Sequence, residues 1–135
     1  MAALYWSSKQ IHANGPTPGV ACTPSADGSL VGFFIATTAA GYCNINTTYY
    51  DGTNTHVQNV VTYTQCWADA TDPPQALSNT DIQNEIEKGF SSGNLTFDAS
   101  TLYEVYTGTG INPGGGFGTQ YCATTGSSPT GAAGT

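Results

Sequence analysis

The sequence predicts one small α/β (α+β) domain over residues 1–123, with a mixed β-sheet, one or two helices and a β-α-β crossover at about residues 56–107. Three observations lead there. A capped amphipathic helix starts near Thr80, a β-favouring run from Thr101 to Thr107 follows it, and a second such run from His56 to Gln65 precedes it. Strand, helix and strand in that order make one β-α-β unit, and 135 residues suffice for a single core of ordinary size.

From the N-terminus, Ala3 to Ser7 reads as a short first strand, and Asn14-Gly15-Pro16-Thr17-Pro18-Gly19 as a loop that neither helix nor central strand can cross. Leu30, Phe33 and Phe34 fit a helical face, although the β-branched and aromatic content of Leu30 to Ile35 also suits a buried strand; helix is the expectation. Asn44 to Tyr50 and His56 to Gln65 are predicted as an antiparallel pair around Asp51-Gly52, a type I′ hairpin signal. Trp67 to Gln75 contains Asp72-Pro73-Pro74 and reads as loop. Thr80-Asp81-Ile82-Gln83 has capping-box spacing. Ile82, Ile86 and Phe90 then form one apolar stripe, Glu85, Glu87 and Lys88 are expected outward, and Ser91-Ser92-Gly93 stops the turn. A glycine-rich loop, Gly108 to Gly118, follows the last strand, and a Gly/Ala/Ser/Thr tail occupies residues 124–135.

Charged residues make up 8% of the chain, with no Arg and only Lys9 and Lys88 as cations. A phosphate backbone finds almost nothing to pair with, so nucleic acid is excluded as a partner. The formal charge of −7 also disfavours anionic membranes. Met1-Ala2-Ala3-Leu4-Tyr5-Trp6 has neither a basic region nor a sufficient apolar core, so it reads as neither signal peptide nor membrane anchor. Polarity comes mainly from Thr, Ser, Asn and Gly, as on many secreted and cell-surface proteins.

Cys22, Cys43, Cys66 and Cys122 lie far apart, without zinc-ligand spacing. Two disulfides are expected, in any of three pairings, and they imply an oxidising, extracellular or cell-surface compartment. Asn46-Thr47-Thr48 and Asn94-Leu95-Thr96 are N-glycosylation acceptor patterns.

Tyr49-Tyr50-Asp51-Gly52, Leu77-Ser78-Asn79-Thr80-Asp81-Ile82-Gln83, Ser92-Gly93-Asn94-Leu95, Asp98, Leu102-Tyr103-Glu104-Val105-Tyr106 and Phe117-Gly118-Thr119-Gln120-Tyr121-Cys122 together resemble the plant and bacterial EXORDIUM, or phosphate-induced protein 1, family. Tyr5-Trp6-Ser7 is similar to that family's first strand. The resemblance covers roughly residues 45–122. It implies a secreted or wall-associated protein of zincin-like architecture. The family's second half, with a His-Glu helix start, is absent from this chain, and Ala123-Thr124-Thr125 stands where the family often carries a further Cys and a His. The resemblance therefore implies either a related piece with another job or an incomplete chain.

Catalytic chemistry is not expected. His12 and His56 are the only histidines, and no His-Glu-x-x-His pattern occurs. Asp69 and Asp72 have spacing that suits calcium, but aspartates before proline are ordinary turn formers. Gly108-x-Gly110 fails the dinucleotide template because Pro113 takes the place of the third glycine, and no Gly-Lys-Ser/Thr occurs. No cofactor or metal is expected. Tyr49, Tyr50, Trp67, Tyr103, Tyr106 and Tyr121 are candidates for stacking on a cell-wall polysaccharide, against the plainer role of half-buried strand residues. The functional expectation is a non-catalytic extracellular subunit that self-associates into a fibre or surface matrix. Its proposed mechanism is edge-strand addition through residues 2–13, with Leu4, Tyr5, Trp6 and Ile11 at the contact. The alternatives are the first half of a zincin-like EXORDIUM-type wall protein, or a polysaccharide-binding module.

Overall fold

A computed structural model describes residues 1–24, 47–58, 60, 62–114 and 120. Among the described residues the elements are, in chain order, β1 (Ala2–Trp6), β2 (Gln65–Asp69), α1 (Asn79–Ser91) and β3 (Tyr103–Thr107). They form a small α/β domain, a three-stranded sheet of order β2-β1-β3 with one helix. Both pairings are parallel: Leu4 faces Trp67 on one side and Val105 on the other, and Trp6 faces Asp69 and Thr107. The strand-helix-strand unit therefore steps from β2 through α1 to β3 and leaves β1 between its two strands.

All five residues of Ala2-Ala3-Leu4-Tyr5-Trp6 are buried. Side chains alternate across the sheet. Leu4 and Trp6 pack with Leu77, Leu95, Ile82, Ile86 and Phe90 on the helix side, whereas Ala3 and Tyr5 pack with Ala68, Ile11, Cys22 and Tyr106 on the other. A strand buried on both faces is the expected occupant of the middle of a parallel sheet. This corrects the assembly expectation. With hydrogen-bonded neighbours on both sides, β1 has no free edge for another copy, and Leu4, Tyr5 and Trp6 are core residues; Ile11 is half-buried against that core.

The helix ends where Ser92 and Gly93 stop it, Gly93 taking φ +74° and Ser92 N–H donating to the Lys88 carbonyl. Its start differs from the predicted Thr80 box. Ser78 is the N-cap: its Oγ accepts from Asp81 N–H at 3.2 Å while the Asp81 carboxylate accepts from Ser78 N–H at 2.8 Å. Two overlapping S/T-x-x-D/Q patterns compete here, and the earlier one adds a charge-assisted bond and a carboxylate in the first turn.

The predicted hairpin is also corrected. Tyr50 and His56 form one isolated antiparallel bridge, the second strand lies at Gln65–Asp69, and Trp67 belongs to that strand instead of a loop. Positive φ falls on Asn54, at +64°, rather than on Asp51-Gly52. The Asp51 carboxylate determines this loop by accepting from Thr53 N–H, Thr53 Oγ and Thr55 N–H at 2.7 to 2.9 Å. Those bonds hold its pKa below the usual carboxylate range, the Thr53 hydroxyl contributing most. The expected helix around residues 30–35, Cys43, Asn46, Val61, Tyr121, Cys122 and the tail lie outside the described residues.

Cys22 and Cys66 are joined, with Cα atoms 5.6 Å apart. The bond ties the loop after Gly19 to β2 on the face opposite the helix, where Gly19 N–H also donates to the Ala68 carbonyl at 2.9 Å.

Candidate functional site

The helix meets the sheet most closely at Gly89. A Cβ there would lie 2.7 Å from Leu95 Cδ1 and 2.9 Å from Trp67 Cε3, so only glycine permits this approach. One turn earlier, the same helix face carries Glu85 to the carboxyl end of β2. Its neighbour there is Asp69, which shares the helix-facing side of the sheet with Trp6. The carboxyl ends of parallel strands are where α/β folds gather functional side chains.

Glu85 was expected outward and is instead 5% exposed. It is the functional residue that sequence reasoning missed. A signal existed: at 100° per residue, position 85 lies on the flank of the Ile82–Ile86–Phe90 stripe, in line with Gly89.

Lys88 Nζ donates to Asp69 Oδ2 at 2.8 Å and to both Glu85 oxygens at 3.3 Å, and sits 5.5 Å from the centre of a Trp67 ring. The Thr71 hydroxyl donates to Asp69, and the Trp6 indole N–H donates to Thr71 Oγ1 at 3.1 Å. Burial, and then the adjacent Asp69 carboxylate, push the Glu85 pKa up to about 7, against the pull of Lys88. For Asp69, burial raises the pKa, but bonds from Lys88 and Thr71 outweigh it and hold the carboxyl below its ordinary range. Burial likewise opposes the Lys88 ammonium, and its two carboxylate partners prevail and raise it. The cluster thus holds a carboxyl that changes charge near neutrality beside one that stays ionised. An open groove of about 470 Å³ passes Lys88, lined also by Val20, Trp67, Ala70 and Asn94.

A second feature is the loop at residues 47–58. Asp51 braces it, Val57 N–H donates to the Tyr49 carbonyl at 3.0 Å, and His56 donates from Nδ1 to the Thr47 carbonyl at 2.6 Å. His56 also lies against Tyr50, with ring centres 4.1 Å apart. On this braced frame Tyr49 and Tyr50 are 63% and 55% exposed, and Val57 and Val60 are exposed as well.

Other candidates fall elsewhere. Trp67, Tyr103 and Tyr106 are half-buried strand residues, so the structure brings only Tyr49 and Tyr50 together as an exposed aromatic pair among the described residues. Asp72 accepts from Ser8 N–H at 2.8 Å and Ser8 Oγ at 2.7 Å, while Asp69 faces Lys88; the pair does not converge on a calcium position. Among the described residues no group of three or more His, Cys, Asp or Glu side chains is placed to hold a metal. Among them, too, no helix is long and apolar enough to cross a membrane. Asn94 is exposed in the turn after α1, its side-chain amide donating to Ser92 Oγ at 2.7 Å.

Comparison of the chain with family models, curated proteins and solved structures finds no match. The chemistry of the two features has to be taken from their own geometry.

Proposed function

We propose that the chain is a secreted, non-catalytic interaction domain that self-associates as a subunit of an extracellular fibre or surface matrix. One observation carries the reading: a loop locked by its own hydrogen bonds presents Tyr49 and Tyr50 to solvent. Two rigid aromatics cost little conformational entropy to bury, and each offers apolar area with a polar tip. The Cys22–Cys66 bond and the sparse charge of the chain suit an oxidising exterior, and few charges have to be desolvated when copies pack together. The contact lies in the 47–58 loop, not in β1.

The test is light scattering and negative-stain microscopy in non-reducing buffer on the wild type and a Tyr49→Ser/Tyr50→Ser variant. The wild type is expected as oligomers or fibres. The variant, whose changes are at the surface, should keep its melting temperature but associate at least about tenfold more weakly, as for loss of aromatic contact residues. A monodisperse wild type overturns self-association. If such a monomer is retained on cell-wall polysaccharide and the variant is not, the tyrosines are a glycan platform.

A second reading, the front part of an EXORDIUM-type wall protein, rests on the resembling segments, of which Tyr5-Trp6, Asn79–Gln83 and Tyr103–Tyr106 fall in β1, α1 and β3. Sequencing the transcript through the codons after Thr135 tests it. A continuation with a His/Glu metal motif is the expected result under this reading, and an immediate stop codon removes it.

A further inference from the structure

We propose that Asp69, Glu85 and Lys88 form a proton-operated latch between α1 and the carboxyl end of β2, fastened while Glu85 holds a proton beside the ionised Asp69 and loosened when both carboxyl groups are charged.

The geometry sets the charge balance. Glu85 is 5% exposed, Asp69 12% and Lys88 45% at their side chains, and Lys88 spans both carboxyl groups. With one proton in the cluster, one carboxylate faces one ammonium and the sum is neutral. Without it, two carboxylates share that one ammonium in a partly desolvated place. No other Lys or Arg pairs with these carboxyl groups. Lys9 is the only other Lys or Arg, and it acts on Asp72, beyond the end of β1.

Among the described residues, the neighbouring elements add no further carboxyl, Lys or His that faces the pair. β1 contributes the Trp6 indole, engaged by Thr71. β2 adds the Trp67 ring beneath Lys88. On α1 itself Glu87 is exposed, and on β3 Glu104 accepts from the Tyr106 hydroxyl on the sheet's other face.

The sign follows from linkage. Glu85 has a folded pKa of about 7, above its ordinary 4.5. Folded protein therefore binds the extra proton between those values, and this contribution to stability is complete below the lower one and lost as pH rises through the higher. Asp69, Asp72, Asp81 and Asp98 are shifted downward, so their contributions are lost only in acid and leave the range from pH 5.5 to 8.5 to Glu85 among these carboxyls.

Of the two tryptophans, Trp67 lies against Lys88 and Trp6 reaches Asp69 through the Thr71 hydroxyl, so indole fluorescence reports on the cluster. The experiment compares wild type and Glu85→Gln at pH 5.5 and 8.5 by tryptophan emission, thermal melting and amide exchange of residues 79–91 corrected for the intrinsic pH dependence. In the wild type the unfolding equilibrium constant should rise by roughly tenfold or more over this range, with faster exchange in α1 and a shift in emission. Glu85→Gln keeps the shape without the charge and should flatten all three, with His12 and His56 unchanged in both proteins. Should that variant fail to fold, Asp69→Asn serves: removing the like charge should move the wild-type midpoint to lower pH. An undiminished pH response in Glu85→Gln, or an unmoved midpoint in Asp69→Asn, overturns the latch.

Discussion

Leu4→Ala is expected to lower the free energy of unfolding by about 3 kcal/mol, within the usual range for deleting a buried leucine side chain. Leu4 is 1% exposed, the largest fully enclosed side chain among the described residues. It stands at the middle of the central strand, flanked by Trp67 and Val105 in register and covered by the helix side of the core. Strands on both sides and a helix held close by Gly89 limit how far the site can collapse, so most of the cavity should persist. Against a total stability of roughly 5–15 kcal/mol for a domain, that loss is large. Urea denaturation of purified protein measures it. A loss below about 1 kcal/mol would mean that β1 is not the packed centre of the sheet.

Replacing both Cys22 and Cys66 with serine is expected to cost about 4 kcal/mol. The bond closes a loop with a sequence separation of 44, and the chain-entropy estimate for that length gives this figure. The double variant removes this bond alone, whatever the state of the other two cysteines. Denaturation under non-reducing conditions reads the energy, and peptide mapping without reductant should find the Cys22 and Cys66 peptides joined. Finding Cys66 bonded elsewhere would sink both the pairing and the packing of the 19–22 segment against β2.

Much of the fold was legible from local pattern. The Ile82–Ile86–Phe90 stripe, the Ser92-Gly93 stop, the first strand and the Tyr103–Thr107 strand all appear where periodicity and turn chemistry put them, within two residues. The N-cap moved from Thr80 to Ser78 because two capping patterns overlap, and sequence alone does not rank them. The second strand was misplaced for a different reason. The valines and threonines of residues 57–64 have β propensity, but propensity names no partner. β1 selects Gln65–Asp69, where Cys66 can reach Cys22, Ala68 can lie beside Tyr5 and Trp67 can face the helix.

Two functional assignments changed for the same reason. The run at Ala2–Trp6 was expected to be an edge strand that adds to another copy, and its burial on both faces makes it the centre of the sheet. Glu85 carried a solvent-facing signature by residue type, but its angular position beside the apolar stripe and its partners on β2 turn it inward.

By itself, the sequence determined what neighbouring residues decide among themselves: the helix and its stop, the strand-forming runs, the shortage of cations and the presence of cysteines to crosslink. Tertiary structure alone decided which strand is central, which cysteine Cys22 meets, and that Asp69 and Glu85 share one lysine. Helix periods, caps and turns are settled by bonds a few residues long, whereas burial, strand order and charge pairing depend on groups far apart in the chain meeting in space, from Asp69 with Glu85 to Ala2 with Tyr103.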